Sequence, residues 1–163
     1  MGSNEVYIMS ETYFGTKMIK AMPVTLGEYN AYRGWDMPAD EDPETAGYLV
    51  EYPYDEQTVP NHEAHVGYIS WSPAHVFDAA YQPQDALSFG HALEAMKAGL
   101  RVCRAGWNGK GMWVASVPKH TNGHGQVINP AFRIKQVNGD FSSWVPSTGD
   151  CHADDWQIVE GDA

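Results

Sequence analysis

The stretch Arg101–Trp113, RVCRAGWNGKGMW, gathers two indoles (Trp107, Trp113), three glycines (Gly106, Gly109, Gly111), the Asn108 amide and three cations (Arg101, Arg104, Lys110). Glycines let a backbone turn tightly and approach a ligand closely, and an indole offers a flat face on which a base can stack. The combination suggests a ligand site, and a small anion in one locally basic pocket is within its reach. Residue types alone leave open a plainer alternative, a hairpin whose tryptophans serve only packing. Charge favours the first reading. From Arg101 to Gly139 there are six Lys/Arg and no Asp or Glu, in a chain whose formal net charge is -11.

Other groups with chemical potential lack the spacing that chemistry needs. Gly106–Gly111 fits neither a phosphate-binding P-loop nor a dinucleotide fingerprint, and the chain has no G-x-S-x-G elbow and no zinc-deaminase pair of motifs. In Asn61-His62-Glu63-Ala64-His65 the histidines stand three apart, not four, which denies them the zinc and base roles of H-E-x-x-H and leaves a solvated loop. Asp36–Glu44 holds five acids and two prolines in nine residues, without the ligand order of a calcium loop. His120 and His124 bracket Thr121-Asn122-Gly123 and read as a mobile polar loop. The expectation is no catalytic residue, no metal and no cofactor.

The elements that position these residues divide into two units. In the first, Tyr13–Val24 reads as a strand closed by Pro23, and Thr25-Leu26-Gly27-Glu28 is a capping box opening a helix to about Arg33 that Gly34 ends. Leu26, Tyr29 and Tyr32 share one helix face. Gly47–Tyr54 and Val66–Ser72 read as adjacent antiparallel strands. Ser72-Pro73 then opens a second helix, Ser as N-cap and Pro at the first helical position, with Val76, Phe77, Ala80 and Tyr81 as its buried stripe. Gln82-Pro83-Gln84 is the expected boundary.

In the second unit Ser88 caps a helix to about Ala98 whose apolar face is Phe89, Ala92, Leu93 and Met96, with His91 exposed and Gly99 terminating. Arg101–Ala105 and Met112–Pro118 are strands flanking the glycine-rich loop. Phe132–Val137 and Phe141–Val145 form a hairpin about Asn138-Gly139, expected as a type I′ turn, and Trp156–Val159 is a last strand. The class is α+β: a small N-terminal α+β module over residues 1–84, then one helix packed on an antiparallel sheet over residues 85–163.

Charge divides the same way. Residues 1–84 carry three Lys/Arg against 13 Asp/Glu, and residues 85–163 carry seven against eight. So acidic a chain is repelled by polyanions, which argues against nucleic-acid polymers and anionic membranes as partners. Cys103 and Cys151 are the only cysteines, and no apolar run reaches the length of a signal peptide or of a membrane span, about 20 residues. Reduced thiols in a cytosol are expected.

The order SFGHALEAMKAG, RVCRAGWNGKGMW, hairpin and WVPSTGDCHADDW closely resembles the phage Thoeris anti-defence 2 family over most of residues 85–163. Its members carry a helix of the form FxEALxALKxG, a GWNGKGMW loop and a closing WxxSxxDxxAxDW segment. The resemblance implies a non-enzymatic sponge in the infected host's cytoplasm: a homotetramer that holds cyclic ADP-ribose-type signals, and in some relatives cyclic dinucleotides, without degrading them. On that reading Trp107 stacks on a base and Asn108 pairs with a base edge or ribose. Arg104 and Lys110 meet phosphate, and Ser147, Thr148 and Asp150 bond ribose hydroxyls. Trp113, Trp144 and Trp156 belong to the core, whereas packing explains Trp107 less readily. Gly149, Cys151 and His152 depart from the residues common in relatives. Residues 1–84 resemble an extra phage-encoded module whose role the resemblance does not imply. The alternatives from other classes are a protein-binding inhibitor of a host protein and a signal-degrading hydrolase.

Overall fold

A computed structural model describes residues 12–159; residues 1–11 and 160–163, at the ends of the two expected units, lie outside the described residues. The class is α+β. Three antiparallel strands, β1 (Lys20–Thr25), β2 (Ala46–Glu51) and β3 (Ile69–Pro73), form one sheet in the order β1-β2-β3. The first helix, α1 (Leu26–Arg33), starts on the expected capping box: Thr25 Oγ1 accepts from the Glu28 amide at 3.2 Å, and Glu28 Oε2 accepts from the Thr25 amide at 2.7 Å. Tyr29, Leu49 and Ile69 make the core of this unit, with Val24 and Trp71 packed against it.

The structure departs from the expected plan at several places here. The first strand begins at Lys20, not Tyr13, and Pro23 lies inside it opposite Tyr48. An edge strand tolerates proline because one side of it needs no amide donors. The second helix, α2 (Ala74–Ala80), takes Pro73 as N-cap with no side-chain capping bond, so Ser72 does not cap it. Val76 and Ala80 are exposed; the helix is held by Phe77, stacked between Tyr48 and Tyr81 at 4.0 and 4.9 Å. Lastly, the loop 61–67 is tied down rather than solvated. Asn61 bonds the Ile69 amide and carbonyl at 2.8 Å each, and the His65 ring bridges Glu51 Oε2 at 3.0 Å and the Tyr32 hydroxyl at 2.9 Å. His62 stacks on Tyr32, which draws that half-exposed ring away from the core face expected of it.

Residues 85–159 follow the expected plan closely. Helix α3 (Phe89–Lys97) is capped by Ser88, whose hydroxyl also meets His91 Nδ1 at 2.8 Å, so His91 is half-buried rather than exposed. Ala92, Ala95 and Met96 bury its inner face. The sheet has five antiparallel strands in the order β10-β4-β5-β8-β9: β4 (Val102–Arg104), β5 (Trp113–Val117), β8 (Ala131–Lys135), β9 (Phe141–Trp144) and β10 (Trp156–Ile158). Val102, Val114 and Trp156 are wholly buried beneath α3. Leu87 continues the ladder beyond β10 through paired backbone bonds to Trp156 of 2.8 and 3.1 Å.

Two local features differ from expectation. The segment around His120 and His124 is a small arm, β6 (His120–Thr121) paired with β7 (Val127–Ile128), not an unstructured loop. The β8–β9 hairpin is present, but only Gly139 takes a positive φ (90°); Asn138 does not. The bonds from Gly139 N to Gln136 O (3.0 Å) and from Gln136 N to Asp140 O (2.8 Å) mark a three-residue loop. Such loops end on one left-handed residue, whereas a type I′ turn needs two. Among the described residues no helix is long and apolar enough to cross a membrane.

Candidate functional site

Local sequence places the glycine-rich loop between β4 and β5, and residues from far along the chain give it its shape. Arg104, the last residue of β4, donates from Nε to Asp155 Oδ1 at 2.7 Å and from Nη1 to Asp150 Oδ1 at 3.2 Å. The other Asp155 oxygen accepts from the Gly106 amide at 2.9 Å, and the Asp155 carbonyl accepts from Ala105 at 3.0 Å. One aspartate thus grips both the guanidinium and the entry of the loop. Charge-assisted bonds of this kind are about twice as strong as neutral ones.

Asp150 belongs to a one-turn helix, α4 (Thr148–Cys151), that the sequence reading did not anticipate. Ser147 and Asp150 form a reciprocal capping box: Ser147 N and Oγ donate to Asp150 Oδ2 at 2.9 and 2.7 Å, and Ser147 Oγ accepts from the Asp150 amide at 3.1 Å. Burial pushes the Asp150 carboxyl up, but donors from Ser147, Arg104 and the Trp107 indole outweigh it, and the net displacement is downward. Asp155 is also lowered, chiefly by its bond to Arg104. Both carboxylates therefore contribute stability that is fully present above their unfolded values, about 3.9, and is lost as pH falls through the folded ones. Melting of residues 85–159 should be insensitive to these groups from neutral pH to about 5 and fall steeply below about 4, and Asp155→Asn should flatten that acid limb. Circular dichroism melts at stepped pH check this; an unaltered limb in the variant would remove Asp155 from the account.

The predicted site residues do not form one uniform surface. Trp107 is half-buried against the core, edge-on to Trp144 and Trp156 at centroid distances of 6.4 and 5.5 Å. Packing therefore does account for much of its position, contrary to the sequence reading. Arg104, Ser147 and Asp150 are engaged with one another or with Asp155. Asn108, Lys110 and Thr148 are exposed. A recess of about 360 Å³ lies beside the loop, lined by Met112, Ile134, Gln136, Val137 and Asn138; Trp107 does not line it. Gly109 sits where a Cβ would strike Met112 Sδ and Val137 Cγ2. Gly109→Ala must push those side chains aside, at a cost of about 1–3 kcal/mol, and should lower Tm measurably while altering the recess; an unchanged Tm would show that the loop yields freely.

Sequence reasoning missed Asp155 as a positioning residue, although the Asp155-Trp156 pair was its signal. It also missed a cluster on the face of the sheet away from α3. There the Arg101 guanidinium lies 5.1 Å from the Trp113 ring, Phe141 meets Trp113 edge-on at 5.5 Å, and Lys135 Nζ donates to Gly111 O at 3.3 Å. The Trp113 indole nitrogen is buried with no hydrogen-bond partner among the described residues.

Residues 87–159 match the family described as Thoeris anti-defense 2-like domain. A curated relative, Thoeris anti-defense 2 of Bacillus phage SP01, is 42% identical over 84 residues, covering 45% of this chain and 94% of the relative. The chain belongs to the Thoeris anti-defence 2 family. That membership carries a phage anti-defence role. The matched residues take in the whole brace of Arg104, Asp150 and Asp155 together with the loop it holds, whereas residues 1–86 fall outside the family match.

Proposed function

We propose that residues 85–163 bind and sequester a cyclic ADP-ribose-type immune signal, glycocyclic ADP-ribose, with cyclic dinucleotides as a second ligand class, and leave the ligand chemically intact. The observation that carries this reading is the glycine-rich loop, pinned at Gly106 by Asp155 and bearing exposed Asn108 and Lys110 next to a half-buried indole. Such a loop presents amide, ammonium and π surfaces to an adenine, riboses and a pyrophosphate without supplying a nucleophile or a paired base.

The roles divide by exposure. Trp107 offers its open portion to a base, and Asn108 and Thr148 bond base or ribose. Lys110 meets phosphate, with Lys135 reaching the same loop from β8. Arg104, Ser147 and Asp150, spent on one another and on Asp155, act through the loop by fixing its shape. The open recess beside the loop favours completion by a second copy of the chain, in the homotetramer characteristic of the family, within the host cytoplasm. Residues 1–84 form a separate acidic module on this reading.

Mixing the protein with the cyclic product of a TIR enzyme, removing unbound ligand, heating, and analysing the released fraction by mass spectrometry tests the proposal. Intact cyclic signal is the expected result. Recovery of linear ADP-ribose or AMP would mean turnover, and no released nucleotide would mean the loop has another ligand.

A further inference from the structure

The acidic module holds a second recess, of about 450 Å³, that the anti-defence reading does not use. Its walls are the rings of Tyr52, Tyr54 and Tyr68 together with Val59, and Asp55 lies among them. Tyr54, Val59 and Tyr68 are 62%, 78% and 48% exposed, a large apolar-aromatic display for one surface spot. The base of the recess is hydrogen-bonded. Tyr52 N donates to Tyr68 O at 2.9 Å beyond the β2–β3 ladder, and Asp55 Oδ1 fixes its own turn by accepting from Gln57 N at 2.9 Å and Thr58 Oγ1 at 2.8 Å. Both of these bonds use the same Asp55 oxygen, Oδ1.

One cation already occupies this place. Lys17, from the extended segment that precedes β1, holds its Nζ 4.7 Å from the centre of the Tyr52 ring and lines the recess beside Asp55. An ammonium over a tyrosine face, next to a carboxylate, is the arrangement by which aromatic sites bind cationic side chains. The surroundings extend the same preference: residues 1–84 carry three Lys/Arg against 13 Asp/Glu. An anionic ligand is disfavoured by that field, and a purely apolar one would leave Asp55 unused.

We propose that the Tyr52–Tyr54–Tyr68 recess is a docking site for a lysine-rich extended segment of a partner protein, with Lys17 as the chain's own removable occupant. The partner's ammonium replaces that of Lys17 over Tyr52 and beside Asp55, while its flanking residues lie on Tyr54, Val59 and Tyr68. The inference is independent of nucleotide capture by the other unit.

Fluorescence anisotropy of the full chain with a labelled decapeptide of alternating lysine and glycine tests it, a glutamate–glycine decapeptide serving as control. Lys17→Ser should tighten binding by about threefold or more, because it removes the internal competitor. Tyr54→Ala, at a mostly exposed ring where folding is not at risk, and Asp55→Asn should each weaken it by about threefold or more. Glu41→Gln removes the same charge from a loop outside the recess and should change affinity less than twofold, about the scale of a screened remote charge. Equal losses in Asp55→Asn and Glu41→Gln would reduce the effect to overall charge and overturn the site. So would a Lys17→Ser variant with unchanged affinity, or equal binding of the acidic control.

Discussion

Replacing Trp156 by alanine is expected to unfold residues 85–159 at temperatures where the native chain is folded. The indole is completely buried, donates from Nε1 to the Asp150 carbonyl at 3.0 Å, and contacts Phe89, Trp107 and Trp144 with ring centroids 5.6, 5.5 and 6.0 Å away. Truncating such a residue costs about 3–5 kcal/mol, a large part of the roughly 5–15 kcal/mol that holds a domain together. For a unit of this size each kcal/mol shifts Tm by about 4–8 °C, so a fall of more than about 12 °C is expected. Because the β1–β3 unit has its own core, calorimetry should resolve two transitions and show only one displaced. A single transition that moves as a whole would mean that the two cores melt together and that the division near residue 84 is wrong.

The second large effect concerns ligand capture. Trp107→Ala should weaken binding of the cyclic signal by about 5- to 150-fold, the range that follows from 1–3 kcal/mol per stacked base. Trp107 also packs on Trp144 and Trp156, so the alanine variant loses stability as well as surface. Trp107→Phe separates the two: it keeps an aromatic body against the cluster but gives up the indole N–H that faces Asp150. Retained binding in the phenylalanine variant would assign the ring face to the ligand, and a loss equal to alanine's would assign the effect to the indole N–H. Isothermal titration well below each variant's Tm makes the comparison. Full affinity in a folded Trp107→Ala protein would end the case for this loop as the binding element.

Features that depend on neighbours three or four residues away were legible in the sequence. The Thr25–Glu28 box and the Ser88 cap both rest on a hydroxyl meeting the amide three residues on, and both helices start where that chemistry says. The two strands flanking the loop were also legible in the sequence, whereas their order in the sheet was not. What the sequence did not display was the pairing of Arg104 with carboxylates 46 and 51 residues away. Counting charges between Arg101 and Gly139 suggested a free basic patch, yet Arg104 is neutralised by acids from outside that window. Trp107 was misjudged for the same reason, since the indoles it leans on come from β9 and β10. Aromatic stacking likewise replaced the expected stripe on α2: Phe77 settles between Tyr48 and Tyr81 while Val76 faces water, a choice no periodicity encodes. The hairpin turn was recognised by composition but assigned the wrong geometry, because Asn138-Gly139 suits two loop lengths.

The Asp155 grip on Gly106 spans 49 residues and ties the loop after β4 to the residue before β10. Contacts of such sequence separation close late, after the intervening loop entropy has been overcome. A nascent chain that has not yet extended past β10 therefore lacks the carboxylate that pins Gly106, and on the proposed reading ligand capture waits for that strand to dock.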